Sequence, residues 1–133
     1  MRKIEHIGIA VNDLTASIST WEKMLGKKHY KTEAVDSEYV NTAFFECGES
    51  KLELLAATHN DSAIHKFIGK RGEGVHHIAF AVDDIEKEVQ RMKDDGFQAI
   101  SQAPKKGADN KLVFFFHPKS ANGVLIELCQ EIK

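Results

Sequence analysis

Two stretches of this chain read alike: Ile4-Glu5-His6-Ile7-Gly8-Ile9-Ala10-Val11 and Val75-His76-His77-Ile78-Ala79-Phe80-Ala81-Val82. Both alternate with the two-residue period of a β-strand, which sends successive side chains to opposite faces. Ile7, Ile9 and Val11 share one face of the first, and Ile78, Phe80 and Val82 share one face of the second. The other faces carry His6 with Gly8 and Ala10, and His77 with Ala79 and Ala81. A polar ring beside residues that leave space around it marks the wall of a cavity.

The residues downstream of each stretch repeat as well. Asn12-Asp13 and Asp83-Asp84 supply helix N-caps. Leu14, Ile18 and Trp21 then recur at helical spacing, with Ile85, Val89 and Met92 as counterparts 71 positions later. Gly26 and Gly96 stop the two helices. Strands are expected over 28–35, 39–47 and 51–57 in the first copy, and over 97–100, 112–116 and 124–130 in the second. The polar, glycine-dotted residues 58–73 read as a connector, with a short helical pattern at Ala63, Phe67 and Ile68. The chain is therefore an internal duplication of a β-α-β-β-β unit, with module 1 at 1–57, a connector at 58–73 and module 2 at 74–133.

Composition excludes several classes. The 133 residues suffice for one good core, and 42% hydrophobic with 29% charged residues fits an ordinary globular protein. A net charge of −2 offers no general attraction to nucleic acid or an anionic membrane. No apolar run reaches membrane-spanning length. Cys47 and Cys129 alone make no disulfide framework, and Met1-Arg2-Lys3 leads into an alternating strand rather than an apolar signal region. A reduced, cytoplasmic protein is expected, without nucleic-acid or membrane partners.

Each module offers one histidine from its first strand and one glutamate from its last: His6 and Glu53, then His77 and Glu127. Glu53 sits between Leu52 and Leu54, and Glu127 between Ile126 and Leu128. Burying such carboxylates costs several kcal/mol each unless a partner compensates. A cation shared with two imidazoles would compensate, and this donor set suits a borderline divalent ion: Co, Mn, Ni or Zn. The other histidines are weaker candidates. His29, His59 and His65 are expected in solvated positions, His76 faces away from His77, and His117 opens a proline turn. Lys119 and Ser120 in that turn could hold an anionic group, as could the basic loop Pro104-Lys105-Lys106-Gly107. Cys129 shares a face with Glu127 and reads as a packing residue.

Four stretches carry a resemblance over nearly the whole chain: residues 5–11, Lys51-Leu52-Glu53-Leu54-Leu55, Gly72-Glu73-Gly74-Val75-His76-His77-Ile78-Ala79, and His117-Pro118-Lys119-Ser120-Ala121-Asn122-Gly123-Val124-Leu125-Ile126-Glu127-Leu128. They resemble the methylmalonyl-CoA epimerases of the vicinal oxygen chelate superfamily, and the last stretch is the most specific. The resemblance implies an α+β fold in which the two tandem modules form a single domain, 1–133, around a cupped mixed β-sheet. It implies a homodimer acting on an acyl-CoA, with a divalent metal ion held by His6, Glu53, His77 and Glu127. The implied reaction interconverts the (R) and (S) forms of methylmalonyl-CoA through an enolate, with Glu127 as base. The group on the opposite face is left open among Glu53, Glu46, Glu38 and a water, and Glu53 is favoured because it mirrors Glu127 across the repeat. Lys119 and Ser120 would help to hold the substrate. One departure matters: some relatives carry a second catalytic glutamate where this chain has Thr42, and threonine is no general base. A glyoxalase I-like enzyme acting on a glutathione hemithioacetal would use the same ligand types, and a metal-free binding protein of the same fold is the third alternative.

Overall fold

The computed structural model describes all 133 residues, Met1–Lys133. The chain forms two compact units, one of Ile7–His76 and one of His77–Lys133 together with Met1–His6. The cuts fall inside both histidine strands, so the sequence repeats and the compact units are divided at different points.

In the Ile7–His76 unit, the second half of β1 (Lys3–Ala10) leads into α1 (Leu14–Leu25), β2 (Lys31–Val35), β3 (Val40–Cys47), β4 (Ser50–Ala57) and α2 (Ala63–Arg71). The strands lie in the order β2-β3-β4-β1, with β2–β3 and β3–β4 antiparallel. The Asp13 carboxylate accepts from Ala16 N at 3.0 Å to cap α1. Gly26 closes the helix in the left-handed region at φ 70°, where a side chain would be strained. Leu14, Ile18, Trp21 and Leu25 then pack on Ile9, Val11, Phe45 and Leu54. The opposite face buries Ala10, Val40 and Leu55 against Ile64, with Phe67 and Ile68 beside them. The helical pattern in the connector is thus α2, an amphipathic helix whose apolar residues complete a core. Strand β2 begins at Lys31 rather than 28, and upstream of it His29 N donates to a side chain, Glu22 Oε2 at 3.1 Å, instead of to a neighbouring strand.

In the second unit, β5 (Gly74–Ala81) is followed by α3 (Ile85–Asp94), β6 (Lys105–Lys106), β7 (Lys111–Phe116) and β8 (Ile126–Glu131). The first residues of β1 lie beside β5, and the order continues β5-β8-β7-β6. The β5–β8 pair is parallel and the β8–β7 and β7–β6 pairs are antiparallel, so the sheet is mixed. Asp84 accepts from Lys87 N at 3.2 Å, repeating the Asp13 cap. Ile85, Val89 and Met92 from α3 bury against Phe114, Phe116 and Leu128. Two tandem β-α-β-β-β modules and a mixed sheet are therefore what the duplication encodes.

The second strand of the second module is shorter and later than expected. Residues 97–100 make only the single bridge Ala99↔Phe116, and the paired residues are Lys105–Lys106. The reason is a side chain in the ladder's place: Ser101 Oγ accepts from Phe115 N at 3.0 Å, while Ile100 N and Ser101 N both donate to Phe115 O. Strand β8 starts at Ile126, not 124, because Val124 N donates back to Ala121 O within a tight turn. No helix is long and apolar enough to cross a membrane.

Candidate metal centre

His6, His77 and Glu127 all belong to the unit made of Met1–His6 and His77–Lys133. Their positions result from strand register. Ala79 on β5 lies opposite Glu127 on β8, so His77, two residues earlier, projects from the face that carries Glu127. Strand β1 enters the unit alongside β5, with Arg2 N donating to Ala81 O at 2.9 Å. That pairing brings His6 to the same place. Phe115 lies opposite Glu127 on β7 and meets the His77 ring edge to face, with centroids 6.0 Å apart.

The three side chains converge closely. His6 Nε2 stands 3.0 Å from His77 Nε2, His77 Nε2 is 3.2 Å from Glu127 Oε1, and His6 Nε2 is 3.7 Å from Glu127 Oε2. All three residues are buried, at 7%, 3% and 5% exposure. Their ligand atoms form a group within 4.8 Å of one another. Donors bound cis to one ion at 2.0–2.2 Å are separated by about 3 Å. Two imidazole nitrogens and a carboxylate at these separations fit a borderline divalent ion.

Burial works against the charged form of Glu127. The imidazoles of His6 and His77 and the Cys129 thiol outweigh it and bring the carboxyl down to about 2. Cys129 Sγ donates to Glu127 Oε2 at 2.7 Å, so this residue, read from sequence as packing, also restrains the carboxylate. It packs as well, with Ala79, Val113 and Phe115. Glu5, unassigned from sequence, is buried at 5% exposure, and its Oε1 lies 3.1 Å from His6 Nδ1.

The other residues expected to serve the site have the following surroundings. Glu53 is 4% exposed on β4, opposite Phe44, within the Ile7–His76 unit. Thr42 is fully buried on β3, and its hydroxyl donates to the Glu33 carbonyl at 2.9 Å. Lys119 and Ser120 form the short turn after β7. Ser120 Oγ accepts from Gln98 N at 3.0 Å, and Lys119 N donates to His117 Nδ1 at 3.0 Å. His76 faces away from His77, as the alternation requires, and its ring meets Phe67 edge to face at 4.9 Å.

A duplicated β-α-β-β-β fold with a buried two-histidine, one-carboxylate group defines a class of metal-centred modules. The chain belongs to the glyoxalase/bleomycin resistance protein/dioxygenase superfamily, whose model matches residues 5–130. It is 35% identical to the ethylmalonyl-CoA/methylmalonyl-CoA epimerase of Cereibacter sphaeroides, over 96% of this chain and 97% of that one. Among solved structures, a hypothetical protein from Bacillus halodurans superposes with a TM-score of 0.95 at 44% identity, covering 98% of this chain and 95% of the other. A methylmalonyl-CoA epimerase in complex with methylmalonyl-CoA and NH4+ superposes with a TM-score of 0.92 at 34% identity, covering 98% and 95%.

Proposed function

We propose that this chain is a metal-dependent epimerase that interconverts (R)- and (S)-methylmalonyl-CoA. The observation that carries the reading is the buried His6–His77–Glu127 group, with donor separations of 3.0–3.7 Å, in a chain similar along its whole length to such epimerases. His6, His77 and Glu127 would hold the ion, with Glu53 as the fourth ligand. A divalent ion held there supplies Lewis acidity, which offsets the negative charge that develops on the thioester oxygen as C2 loses its proton.

Glu127 and Glu53 are proposed as the proton-transfer groups, one for each face of C2. Glu127 is ionised at neutral pH and so is ready to accept a proton. Lys119 and Ser120 would hold the anionic parts of the acyl-CoA, Lys119 through its ammonium. The same reading makes the protein a cytoplasmic homodimer organised as one domain over 1–133, and light scattering on the purified protein checks the dimer.

The test is to add racemic methylmalonyl-CoA to metal-loaded protein in deuterated water. Deuterium at C2 and equilibration of the two epimers are expected. Absence of both sinks the proposal. Turnover of a methylglyoxal–glutathione hemithioacetal in their place would move the chain to the isomerase class.

A further inference from the structure

One buried acid stands outside the coordination and proton-transfer roles proposed above. Glu5 precedes the ligand His6, and strand alternation alone would send the two side chains to opposite faces. Yet Glu5 is 5% exposed and its Oε1 lies 3.1 Å from His6 Nδ1. A carboxylate can only accept a hydrogen bond, and Glu5 at 3.1 Å lies within hydrogen-bond reach of His6 whereas Glu127 at 3.7 Å does not, so the proton of the neutral imidazole sits on Nδ1. Nε2 is then left with its lone pair. It is this nitrogen that points at His77 Nε2, 3.0 Å away, and towards Glu127.

We infer that Glu5 is a positioning residue for the metal centre: its carboxylate locks His6 in the Nδ1–H tautomer and turns Nε2 into the site. The inference rests on the metal-centre reading, and it adds a requirement that the three donors alone do not state. The other tautomer would carry a proton on Nε2 and could not bind an ion. Without an acceptor at Nδ1, a buried imidazole is also free to flip its ring, which would exchange a nitrogen for a carbon at the ligand position. Hydrogen-bond partners of this kind both orient a ligating imidazole and raise its basicity.

No corresponding acid precedes the second ligand, since residue 76 is histidine and its ring lies against Phe67. His77 is steadied by the edge of Phe115 and by Glu127, and His6 is steadied by a charge.

The experiment uses the full chain stripped of metal, with imidazole nitrogens observed by long-range 15N NMR well above the ordinary histidine pKa of about 6.5. A protonated Nδ1 and a bare Nε2 are expected for His6 in the wild type. Protonated Nε2 overturns the inference without any variant. Titration with Zn(II) or Co(II) then compares the wild type with Glu5→Ala and Glu5→Gln. Glu5→Ala is expected to mix the His6 tautomers and weaken ion binding by about 10–100-fold. Glu5→Gln, whose amide oxygen still accepts, is expected to keep the tautomer and recover most of the affinity. A folded Glu5→Ala with unchanged tautomer overturns the inference, whatever happens to ion binding. A wild type with the expected tautomer that binds no divalent ion overturns the metal-centre reading instead, and this inference with it.

Discussion

His6 Nε2 and His77 Nε2 stand 3.0 Å apart, although 71 residues separate them in the chain. Two imidazoles approach this closely either by sharing a proton or by sharing a metal ion. Glu127, 3.2 Å from the second of them, adds the charge that favours a cation. A buried carboxylate beside two imidazoles is a strong attractor for positive charge.

Metal removal should therefore be visible in stability as well as activity. Because a ligand that binds only the folded state adds RT ln(1 + [L]/Kd), a divalent ion at about 100 times its Kd should add about 2.7 kcal/mol. Differential scanning fluorimetry with and without a chelator measures this directly. The wild type should gain several degrees in Tm with ion present. His77→Ala should gain nothing. An equal gain in that variant would place the ion elsewhere.

Glu53→Gln separates ligand from proton donor. The amide retains an oxygen that can coordinate but cannot carry a proton. We expect one ion per chain to remain, with epimerisation slowed by about 10²–10⁴-fold. Deuterium wash-in from a single enantiomer identifies which face is lost. Wild-type rates in this variant would remove Glu53 from catalysis.

The low pKa of Glu127 makes the metal-free protein acid-sensitive. Its folded value of about 2 lies below the ordinary 4.5, so the unfolded chain binds the proton more readily. The stabilisation is present above pH 4.5 and is lost as pH falls towards 2. It amounts to on the order of 3 kcal/mol for a group this buried. Urea unfolding at stepped acidic pH should show that loss in the wild type and a smaller one in Glu127→Gln. Parallel profiles would mean that Glu127 is not the titrating group.

The duplicated caps give a test of the fold. Asp13 and Asp84 accept from Ala16 N and Lys87 N at 3.0 and 3.2 Å. Replacing either with alanine should cost about 1 kcal/mol by urea denaturation, and the double variant should cost close to the sum. Replacement by asparagine should restore most of it. A loss at only one position would mean that the second cap contributes nothing to its helix.

Much of the site is legible in the residues themselves. Alternation alone separated His6, Gly8 and Ala10 from Ile7, Ile9 and Val11, and the recurrence of the pattern at His77 paired the two imidazoles. Helix faces and caps could be read for the same reason, since 3.6- and two-residue periods are local properties of the chain. The strand expected over 97–100 was not legible, because Ser101 Oγ takes the place of a backbone partner and the ladder resumes only at Lys105. Such competition between a side chain and the backbone has no periodic signature.

Sequence by itself determined the repeat, the two strand faces, the helices and the types of donor that could gather around an ion. The tertiary structure decided which of them meet. It did so by pairing the first residues of β1 with β5, which carries His6 into the unit that holds His77 and Glu127. It also brought in Cys129 and Glu5 as partners of two ligands. Alternation assigns Glu5 to the far face, but two methylenes let its carboxylate reach back to the neighbouring imidazole, 3.1 Å away. The direction a flexible side chain takes depends on what surrounds it after long-range pairing, and strand periodicity carries no information about that.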